Sequence, residues 1–503
     1  MAGTAGSGAL YLGVDAGTQG LKALVYDVEA KEVIGRGAVS YGLNPGGGVG
    51  CAEQDPAVWV EALFRASAEA LQMARDAPRG GPDAAARVRG IGVSGQQHGL
   101  VALDASYQVL RPAKLWCDTQ SAGEAAELAG ELGWPIVASF TVTKLLWLKR
   151  NEPGVFARLA HVALPHDYLN YVLTGQLVME CGDASGTGML DVVSRQWDAT
   201  SANLVDPALL GKLPRLVGPT EVVGHLCGAA AARLGLPAGV AVAPGSGDNM
   251  MSALGCGCCT PGRCAVSLGT SGTLFAQAPA AVRDPGGAIC PFLDACGRGL
   301  PLLCTLNCTA VPEEVRLAFG LTHEEITRLA EAEPVGCEGL SFLPYLAGER
   351  TPNWPGASGA IVGLRAGHLG RPGLLYRAAL EGATFSLRAG FDAMRRHGVV
   401  GGELRLVGGG SRNPLWRRIC ADAFQMPVAC PIEPESAALG GALQAAAVVS
   451  GASDVGAWVV EHHDARVSDA VEPDAAVAAA YDAAFEAFVG RGGALFGRAA
   501  AAA

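Results

Sequence analysis

Two aspartates in the sequence have neighbours that suit phosphate chemistry. Asp15 lies within Tyr11–Asp27, YLGVDAGTQGLKALVYD, two residues before a Gly-Thr pair. Asp248 lies in GSGDN, where the apolar run Val240–Pro244 ends. A carboxylate at a strand end can bind Mg²⁺ or accept a proton. We interpret Asp15 as a Mg²⁺ ligand and Asp248 as the general base of a phosphoryl transfer, although Asp248 could instead cap the following helix.

The Gly-Thr turn occurs twice in the chain. Its second copy lies in Ala265–Ala276, AVSLGTSGTLFA, with Ser267 at the position that corresponds to Asp15. Glycines at a hairpin tip expose backbone N–H groups, which can bind phosphate oxygens. Two such hairpins could hold a polyphosphate from both sides, with the metal-binding acid on one side only. The Walker A pattern is absent, and ordinary hairpin turns remain the alternative.

Two further loops carry polar or glycine-rich residues between regular elements. Gly408-Gly409-Gly410 lies between a predicted strand and a predicted helix, where a nucleoside could contact flat backbone at a helix N-terminus. The loop Ser94–Gly99, SGQQHG, offers the amide of Gln97 and the imidazole of His98 to a polyol. The alternatives are a plain strand–helix turn and an ordinary buried histidine.

These residues need strands and helices to position them, and the hydrophobic pattern supplies both. Three strands joined by tight turns are predicted at Leu10–Ala16, Leu21–Asp27 and Glu32–Ser40. A helix begins at Pro56 after the N-cap Asp55. The remaining predicted elements are strands at Val88–Val93 and Glu403–Val407, helices at Pro372–Arg396 and Pro414–Phe424, and a last helical stretch over 469–495. The repeat of the Gly-Thr turn indicates duplicated α/β domains with a boundary near residue 250.

Composition excludes several classes of protein. The chain has 503 residues and a net charge of −11, with no long Lys/Arg cluster, which argues against nucleic-acid binding. No apolar run is long enough to span a membrane, and the first ten residues show no export signal. The fifteen cysteines favour a reduced, cytoplasmic setting. The group Cys256, Cys258, Cys259 and Cys264 lacks paired CxxC spacing and favours buried thiols over zinc.

Taken together, the motifs resemble those of one family. GVDAGTQGLK, SGQQHG, SFTVTKLLWLKRN, LPHDYLNYVLTG, GDASGTGMLDV, GSGDN, SLGTSGT, FLPYLAGERTP and GGGSRN occur in the order typical of FGGY carbohydrate kinases. The match extends from about residue 9 to about residue 450. The resemblance implies an α/β fold of two ribonuclease-H-like domains (the actin-like ATPase and sugar kinase fold), hinged around a central cleft. We assign residues 1–250 to the N-terminal domain and 251–495 to the C-terminal domain.

The resemblance also implies a role for each matching residue. Asp248 corresponds to the family's catalytic base and Asp15 to the acid near Mg²⁺. The other matching positions are Gly17, Thr18 and Lys22 in the first phosphate hairpin, Gly269 and Thr270 in the second, Gly409, Gly410 and Asn413 in the adenosine loop, and Gln97, His98, Asp248 and Asn249 at the sugar. The chain departs from the family at Trp116–Thr119, WCDT, and has no arginine near Ser139.

Within the family, the QQHG loop is most similar to that of the kinases of xylulose. The resemblance therefore implies phosphorylation of D-xylulose to its 5-phosphate by Mg-ATP held between the two hairpins. The alternatives are another ketose or polyol, such as ribulose or deoxyxylulose, or a nucleotide-gated, sugar-binding regulator without kinase activity. The expected partners are a sugar and ATP. The sequence leaves the oligomeric state open, with a homodimer among the alternatives.

Overall fold

The computed structural model describes residues 8–463 and 467–500. The prediction that the first ten residues carry no export signal concerns a segment that lies mostly outside the described residues. The strands are β1 Leu10–Ala16, β2 Gly20–Asp27, β3 Glu32–Ser40, β4 Glu53–Gln54, β5 Val88–Gly95, β6 Val101–Leu103, β7 Ala113–Lys114, β8 His161–Ala163, β9 Val178–Glu180, β10 Leu190–Asp191, β11 Gln196–Trp197, β12 Arg215–Val217, β13 Gly224–His225, β14 Ala241–Val242, β15 Ser246–Gly247, β16 Gly262–Leu268, β17 Gly272–Ala276, β18 Leu302–Thr305, β19 Ser341–Leu343, β20 Ala360–Val362, β21 Gly401–Val407 and β22 Val428–Ala429.

The helices are α1 Pro56–Asp76, α2 Ala84–Arg87, α3 Ala122–Leu132, α4 Thr141–Asn151, α5 Pro153–Arg158, α6 Pro165–Thr174, α7 Cys181–Ala184, α8 Ala199–Val205, α9 Gly228–Leu234, α10 Asp248–Gly255, α11 Ala310–Ala318, α12 His323–Glu331, α13 Pro372–Arg396, α14 Pro414–Phe424, α15 Ser436–Val449, α16 Val455–His462 and α17 Ala478–Ala500. The cap of α1 follows the sequence prediction, since the side chain of Asp55 accepts a hydrogen bond from Ala57 N and Pro56 is the first helical residue.

The chain forms two compact units. As far as they are described, unit 1 comprises Met1–Thr260, Pro291–Leu300 and Glu435–Ala465, and unit 2 comprises Pro261–Cys290, Pro301–Pro434 and Arg466–Ala503. Two segments beyond the predicted boundary near residue 250 therefore pack with unit 1.

The two units repeat one sheet topology. In unit 1, the sheet has the order β13-β14-β5-β1-β2-β3, with β1, β2 and β3 antiparallel and β5 parallel to β1. In unit 2, the order is β18-β17-β16-β21-β22, with β16, β17 and β18 antiparallel and β21 parallel to β16. The antiparallel meander followed by parallel strands thus occurs twice, as the repeated Gly-Thr turn predicted.

Helix α15 is far along the chain but belongs to unit 1, because its small residues allow it to pack very closely against the sheet of that unit. Helix α15, SAALGGALQAAAVV, lies against β1 and β5 and is buried over almost its whole length. A Cβ atom placed on Gly13 would lie 1.9 Å from the carbonyl oxygen of Ala438 and 2.8 Å from the nitrogen of Ala442. Only glycine therefore fits at this point of β1.

We expect Gly13→Ala to lower the free energy of unfolding by about 3 kcal/mol, at the upper end of ordinary overpacking costs, because backbone atoms rather than a side chain would have to move. Chemical denaturation followed by circular dichroism measures this change. Gly42→Ala is the matched control, since a Cβ atom there meets no atom within 4 Å. Equal stability of the two variants would contradict the packing argument.

Candidate active site

Asp15 lies near the end of β1, where its carboxylate is partly buried. The hydroxyl of Ser94, on the neighbouring strand β5, donates a 2.8 Å hydrogen bond to Oδ1 of Asp15. Burial raises the pKa of Asp15, and the bond from Ser94 and the charge of Lys22 oppose that rise. A carboxylate with a single side-chain donor, in a polar strand-end position, fits the few-carboxylate environment that Mg²⁺ prefers.

The first Gly-Thr hairpin is held in place by side chains that the sequence analysis did not select. The hydroxyl of Thr18 donates to Oε1 of Gln96 at 3.1 Å and accepts from Nε1 of Trp116 at 3.0 Å. Nε2 of Gln54 donates to the carbonyl oxygen of Thr18 at 2.7 Å, and Nε2 of Gln96 donates to Oε1 of Gln54 at 2.9 Å. The Thr18 side chain is therefore structural. The backbone N of Gly17 donates to the carbonyl oxygen of Gly20 at 3.0 Å within the turn, so the backbone N–H groups beyond Gly17, at the tip of the hairpin, are the ones suited to a phosphate.

Lys22 lies opposite Asp15 in the antiparallel register of β1 and β2. Its ammonium group lies 2.5 Å from Oε2 of Glu435, and the Lys22 side chain is about half exposed. Exposed ion pairs are weak, on the order of 0–1 kcal/mol. A phosphate near the hairpin could therefore compete with Glu435 for the Lys22 ammonium.

Asp248 is the first residue of α10, directly after β15, and it contacts its neighbour Asn249. Oδ1 of Asp248 accepts hydrogen bonds from the backbone N of Asn249 at 2.8 Å and from its Nδ2 at 3.0 Å. Nδ2 of Asn249 also donates to Oε1 of Gln97 at 2.5 Å, and Nε2 of Gln97 approaches the sulfur of Met250 at 3.1 Å. The structure thus brings together Asp248, Asn249 and Gln97, three predicted sugar-contacting residues from the start of α10 and the loop after β5.

The electrostatic environment of Asp248 favours its protonated form. Burial, followed by the negative charges of Asp15 and Asp183, raises the pKa of Asp248 to about 8. A raised carboxyl pKa means that the folded protein binds the proton more tightly than the unfolded chain does. Proton binding by Asp248 therefore contributes to the free energy of unfolding. This contribution is fully present below the ordinary pKa of 3.8 and is lost as the pH rises through about 8.

We therefore expect Asp248→Asn, which mimics the protonated carboxyl, to stabilise the protein increasingly as the pH is raised from about 5 to about 9. At about pH 9 the free energy of unfolding should be higher than that of wild type by on the order of 1–3 kcal/mol. This is less than the free energy that corresponds to the full pKa shift, because the residue is partly solvated. Thermal unfolding without sugar or nucleotide, across this pH range, measures it. The exposed Asp76→Asn variant is the control, and a gain for Asp248→Asn that does not vary with pH would contradict the assignment.

His98 is buried and has a left-handed backbone conformation, with φ 61°. Its ring packs against Phe140 and Phe292, with centroid distances of 5.8 and 5.1 Å. Nδ1 of His98 lies 3.3 Å from Oδ1 of Asp183, and the hydroxyl of Thr141 donates to the His98 carbonyl oxygen at 3.1 Å. The sequence analysis quoted the motif that contains Asp183 but gave this residue no role.

The second Gly-Thr hairpin, in unit 2, joins β16 and β17. The carbonyl oxygens of Gly269 and Thr270 accept hydrogen bonds from the backbone N of Thr309 at 2.9 Å and of Cys308 at 3.0 Å. These bonds fix the hairpin through its carbonyl groups, so its N–H groups are the part suited to a phosphate. Ser267, the counterpart of Asp15, pairs with Thr273 across the hairpin.

The glycine-rich loop after β21 borders a cavity of about 860 Å³ within unit 2. A cavity of this size is typical of small-molecule sites. Asn413 caps α14, since its Oδ1 accepts hydrogen bonds from the backbone N of Leu415 and of Trp416. Its Nδ2 donates to Thr327 at 3.1 Å and to the Tyr376 hydroxyl at 3.3 Å. The lining includes all three predicted adenosine-loop residues: Gly409, Gly410 and Asn413.

One cluster of side chains outside this site has the residue types of a metal centre. Within residues 8–463 and 467–500, Cys51, Glu53 and Asp118 are the one group of three with metal-ligating atoms close together. The ammonium of Lys114 lies 3.2 Å from Oε1 of Glu53 and 3.1 Å from Oδ2 of Asp118, so a cation already neutralises these acids. The cysteines assigned above as buried thiols, Cys256, Cys258, Cys259 and Cys264, are all buried.

Two α/β units, each with a meander, a Gly-Thr hairpin and added parallel strands, define the ribonuclease-H-like class of fold. Family models agree with this class: the N-terminal domain of the FGGY family of carbohydrate kinases matches residues 10–255, and its C-terminal domain matches residues 264–450. The chain belongs to the FGGY family of carbohydrate kinases, and the predicted two-domain sugar kinase fold is confirmed.

Individual relatives agree with the family assignment. A xylulose kinase of Haemophilus influenzae is 40% identical over 448 residues, which cover 87% of this chain and 90% of the relative. One of Streptomyces rubiginosus is 41% identical over 465 residues, with 89% and 90% covered. The crystal structure of a "xyloylose kinase" from Brucella ovis has a TM-score of 0.89 at 36% identity and covers 97% of this chain and 99% of that one.

Across the described part of the chain, every helix is too short or too polar to cross a membrane.

Proposed function

We propose that the chain transfers the γ-phosphoryl group of ATP to O5 of D-xylulose. Relatives that carry the name xylulose kinase, at 40% identity over nearly the whole chain, support this substrate. The observation that carries the proposal is the contact between Asp248, Asn249 and Gln97, which groups one carboxylate and two amides in unit 1. Carboxylate and amide groups suit a polyhydroxylated substrate, because together they accept and donate several hydrogen bonds.

In the proposed reaction, O5 of the sugar attacks the γ-phosphorus and the bond from that phosphorus to the β–γ bridging oxygen breaks. ADP leaves, and the O5 proton passes to a carboxylate oxygen of Asp248. Asp248 must be deprotonated to accept this proton, so its raised pKa predicts activity that increases as the pH approaches about 8. Asn249 holds Oδ1 of Asp248 and thereby fixes the orientation of the base.

The two hairpins are assigned to the phosphates. Backbone N–H groups near Gly17 and Thr18, and near Gly269 and Thr270, would bind phosphate oxygens, and Lys22 would exchange its partner Glu435 for a phosphate. Asp15 is the residue that would hold Mg²⁺, which would neutralise phosphate charge and counter the negative charges that raise the pKa of Asp248.

The nucleoside is assigned to the cavity of unit 2. Gly409 and Gly410 offer backbone that lies open to the cavity. The side chain of Asn413 is already engaged in capping α14 and in binding Thr327 and Tyr376, so we assign it the role of fixing the cavity wall. Its contribution to ATP binding is therefore indirect.

A panel of substrates tests the proposal. Purified protein is assayed for ADP formation with D-xylulose, D-ribulose, deoxyxylulose, glycerol and no sugar, each over a range of concentrations. We expect the highest kcat/KM with D-xylulose and little ADP formation without sugar. A higher kcat/KM with another sugar would reassign the substrate, and ADP formation that is independent of sugar would contradict a sugar kinase.

A further inference from the structure

The buried carboxylate of Asp183 lies between two imidazole rings in unit 1. Oδ1 of Asp183 lies 3.3 Å from Nδ1 of His98, and Oδ2 lies 2.9 Å from Nδ1 of His166. The backbone N of His98 also donates to Oδ1 of Asp183, at 3.4 Å. All three residues are buried, so little solvent competes for these contacts.

The backbone around Asp183 is held in place by the side chain of Glu180. It lies in the short helix α7, whose N-terminus is capped by Glu180: Oε1 accepts from the backbone N of Asp183 at 2.6 Å and Oε2 from that of Gly182 at 2.5 Å. The hydroxyl of Ser246, on the strand that leads to Asp248, donates to Oε1 of Glu180 at 2.6 Å. The carboxylate is thus anchored to the same framework as the proposed base.

The charges around Asp183 keep it ionised. Nε2 of His166 lies 3.0 Å from Oδ1 of Asp167, so the His166 ring lies between two carboxylates. Burial alone would lower the pKa of His166, but Asp167 and Asp183 raise it to about 9. Burial likewise opposes ionisation of Asp183, yet its hydrogen bond with His166 and its 3.3 Å contact with the His98 ring lower its pKa. An anion therefore faces Nδ1 of His98.

The His98 ring has little freedom to turn away from this anion. A Cβ atom added to Gly186 would lie 1.7 Å from Cε1 of His98, so the ring lies directly over this glycine. Phe140 and Phe292 pack against the ring as well. In a neutral histidine, a carboxylate beside one ring nitrogen selects the tautomer that carries its proton there.

We propose that Asp183 is a positioning residue for the sugar site: it holds Nδ1–H of His98 toward its carboxylate and so presents Nε2 as an acceptor for a sugar hydroxyl. This inference rests on the proposed sugar contact of His98. It assigns a task to a residue outside the sugar, phosphate and base positions described above. Any side chain larger than glycine at position 186 would displace the same ring.

The tautomer of His98 can be measured directly in the intact protein. In ¹⁵N-histidine-labelled enzyme at about pH 8, we expect Nδ1 of His98 to carry the proton and Nε2 to be the unprotonated nitrogen, with His98→Gln identifying the signals. A proton on Nε2 in the wild-type enzyme would overturn the proposal. This measurement does not depend on whether any Asp183 variant folds.

Kinetics of Asp183→Asn provide the second test. We expect the KM for D-xylulose to rise about 10-fold, as for other residues that orient a binding imidazole, while the KM for ATP changes less than about 2-fold. Asp198→Asn is the control, because the Asp198 carboxylate caps α8 through Thr200 and Ser201 and takes no part in the charge network of His166 and Asp183, and its sugar KM should stay within about 2-fold of wild type. Equal losses in both variants would overturn the proposal in favour of a general structural role.

His98→Gln separates this inference from the proposed function. If His98→Gln raises the sugar KM and Asp183→Asn does not, only the role of Asp183 is overturned. If His98→Gln leaves the sugar KM unchanged, both the sugar contact of His98 and the positioning role of Asp183 are refuted.

Discussion

Replacement of Asp248 with asparagine is expected to lower the turnover number by about 10²–10⁴, the usual contribution of a positioned general base. Asparagine keeps the Oδ1 acceptor for the backbone N of Asn249, so the start of α10 should be preserved. It cannot accept the proton that leaves O5, so the attack of O5 on the γ-phosphorus loses its base. The KM for D-xylulose should change much less than the turnover number. Steady-state kinetics with coupled ADP detection measures both quantities.

Two measurements serve as controls for this interpretation. Asp76→Asn removes an exposed carboxylate from α1 and should retain wild-type turnover, which controls for a simple change of net charge. The pH-dependent stabilisation expected for Asp248→Asn shows independently that the variant is folded. Near-normal turnover in a folded Asp248→Asn protein would reject Asp248 as the base.

Replacement of Asp15 with asparagine is expected to lower turnover by about 10–100-fold at a fixed Mg²⁺ concentration and to raise the Mg²⁺ concentration needed for half-maximal activity. The amide can still accept the hydrogen bond from Ser94, so the end of β1 should keep its geometry. The lost charge would weaken metal binding, because Mg²⁺ binds carboxylates far better than amides. Titration of activity with Mg²⁺ at saturating ATP measures the effect.

Binding of D-xylulose without nucleotide provides the control for Asp15. Calorimetric titration should give the same sugar affinity in wild type and Asp15→Asn, since the assigned sugar contacts come from the loop of Gln97 and His98 and from the start of α10. Loss of sugar affinity with an unaltered Mg²⁺ dependence would refute the metal role. The same loss together with a changed Mg²⁺ dependence would point to local unfolding of the first hairpin.

Much of the local structure could be predicted from the sequence. The bounds of β1, β3, α13 and α14 agree with the predicted ones, because alternation, helix periodicity and first-position prolines act over a few residues. The repeated Gly-Thr turn predicted a repeated topology, which the two sheets confirm. The last helix begins at Ala478 rather than near residue 469, a difference of the kind expected where no cap residue marks the start.

The polar contacts around the site could not be predicted in the same way. Gln96 was visible as half of the Gln-Gln pair in SGQQHG, but its partner Thr18 is 78 positions away. Gln54 precedes the cap of α1 and gave no signal of its bond to Thr18. Asp183 stood in a quoted motif, yet its contact with His98 spans 85 positions.

The sequence by itself determined the repeated α/β units, the glycine turns and the residue types at the strand ends. Each of these follows from backbone preferences and burial patterns over short segments. The tertiary structure alone decided that residues 291–300 and 435–463 pack with unit 1, that the Thr18 hydroxyl is already engaged, and that Asp183 faces His98. These contacts depend on how distant segments pack, and close approaches such as Gly13 on Ala438 exist only once the sheet and α15 have met.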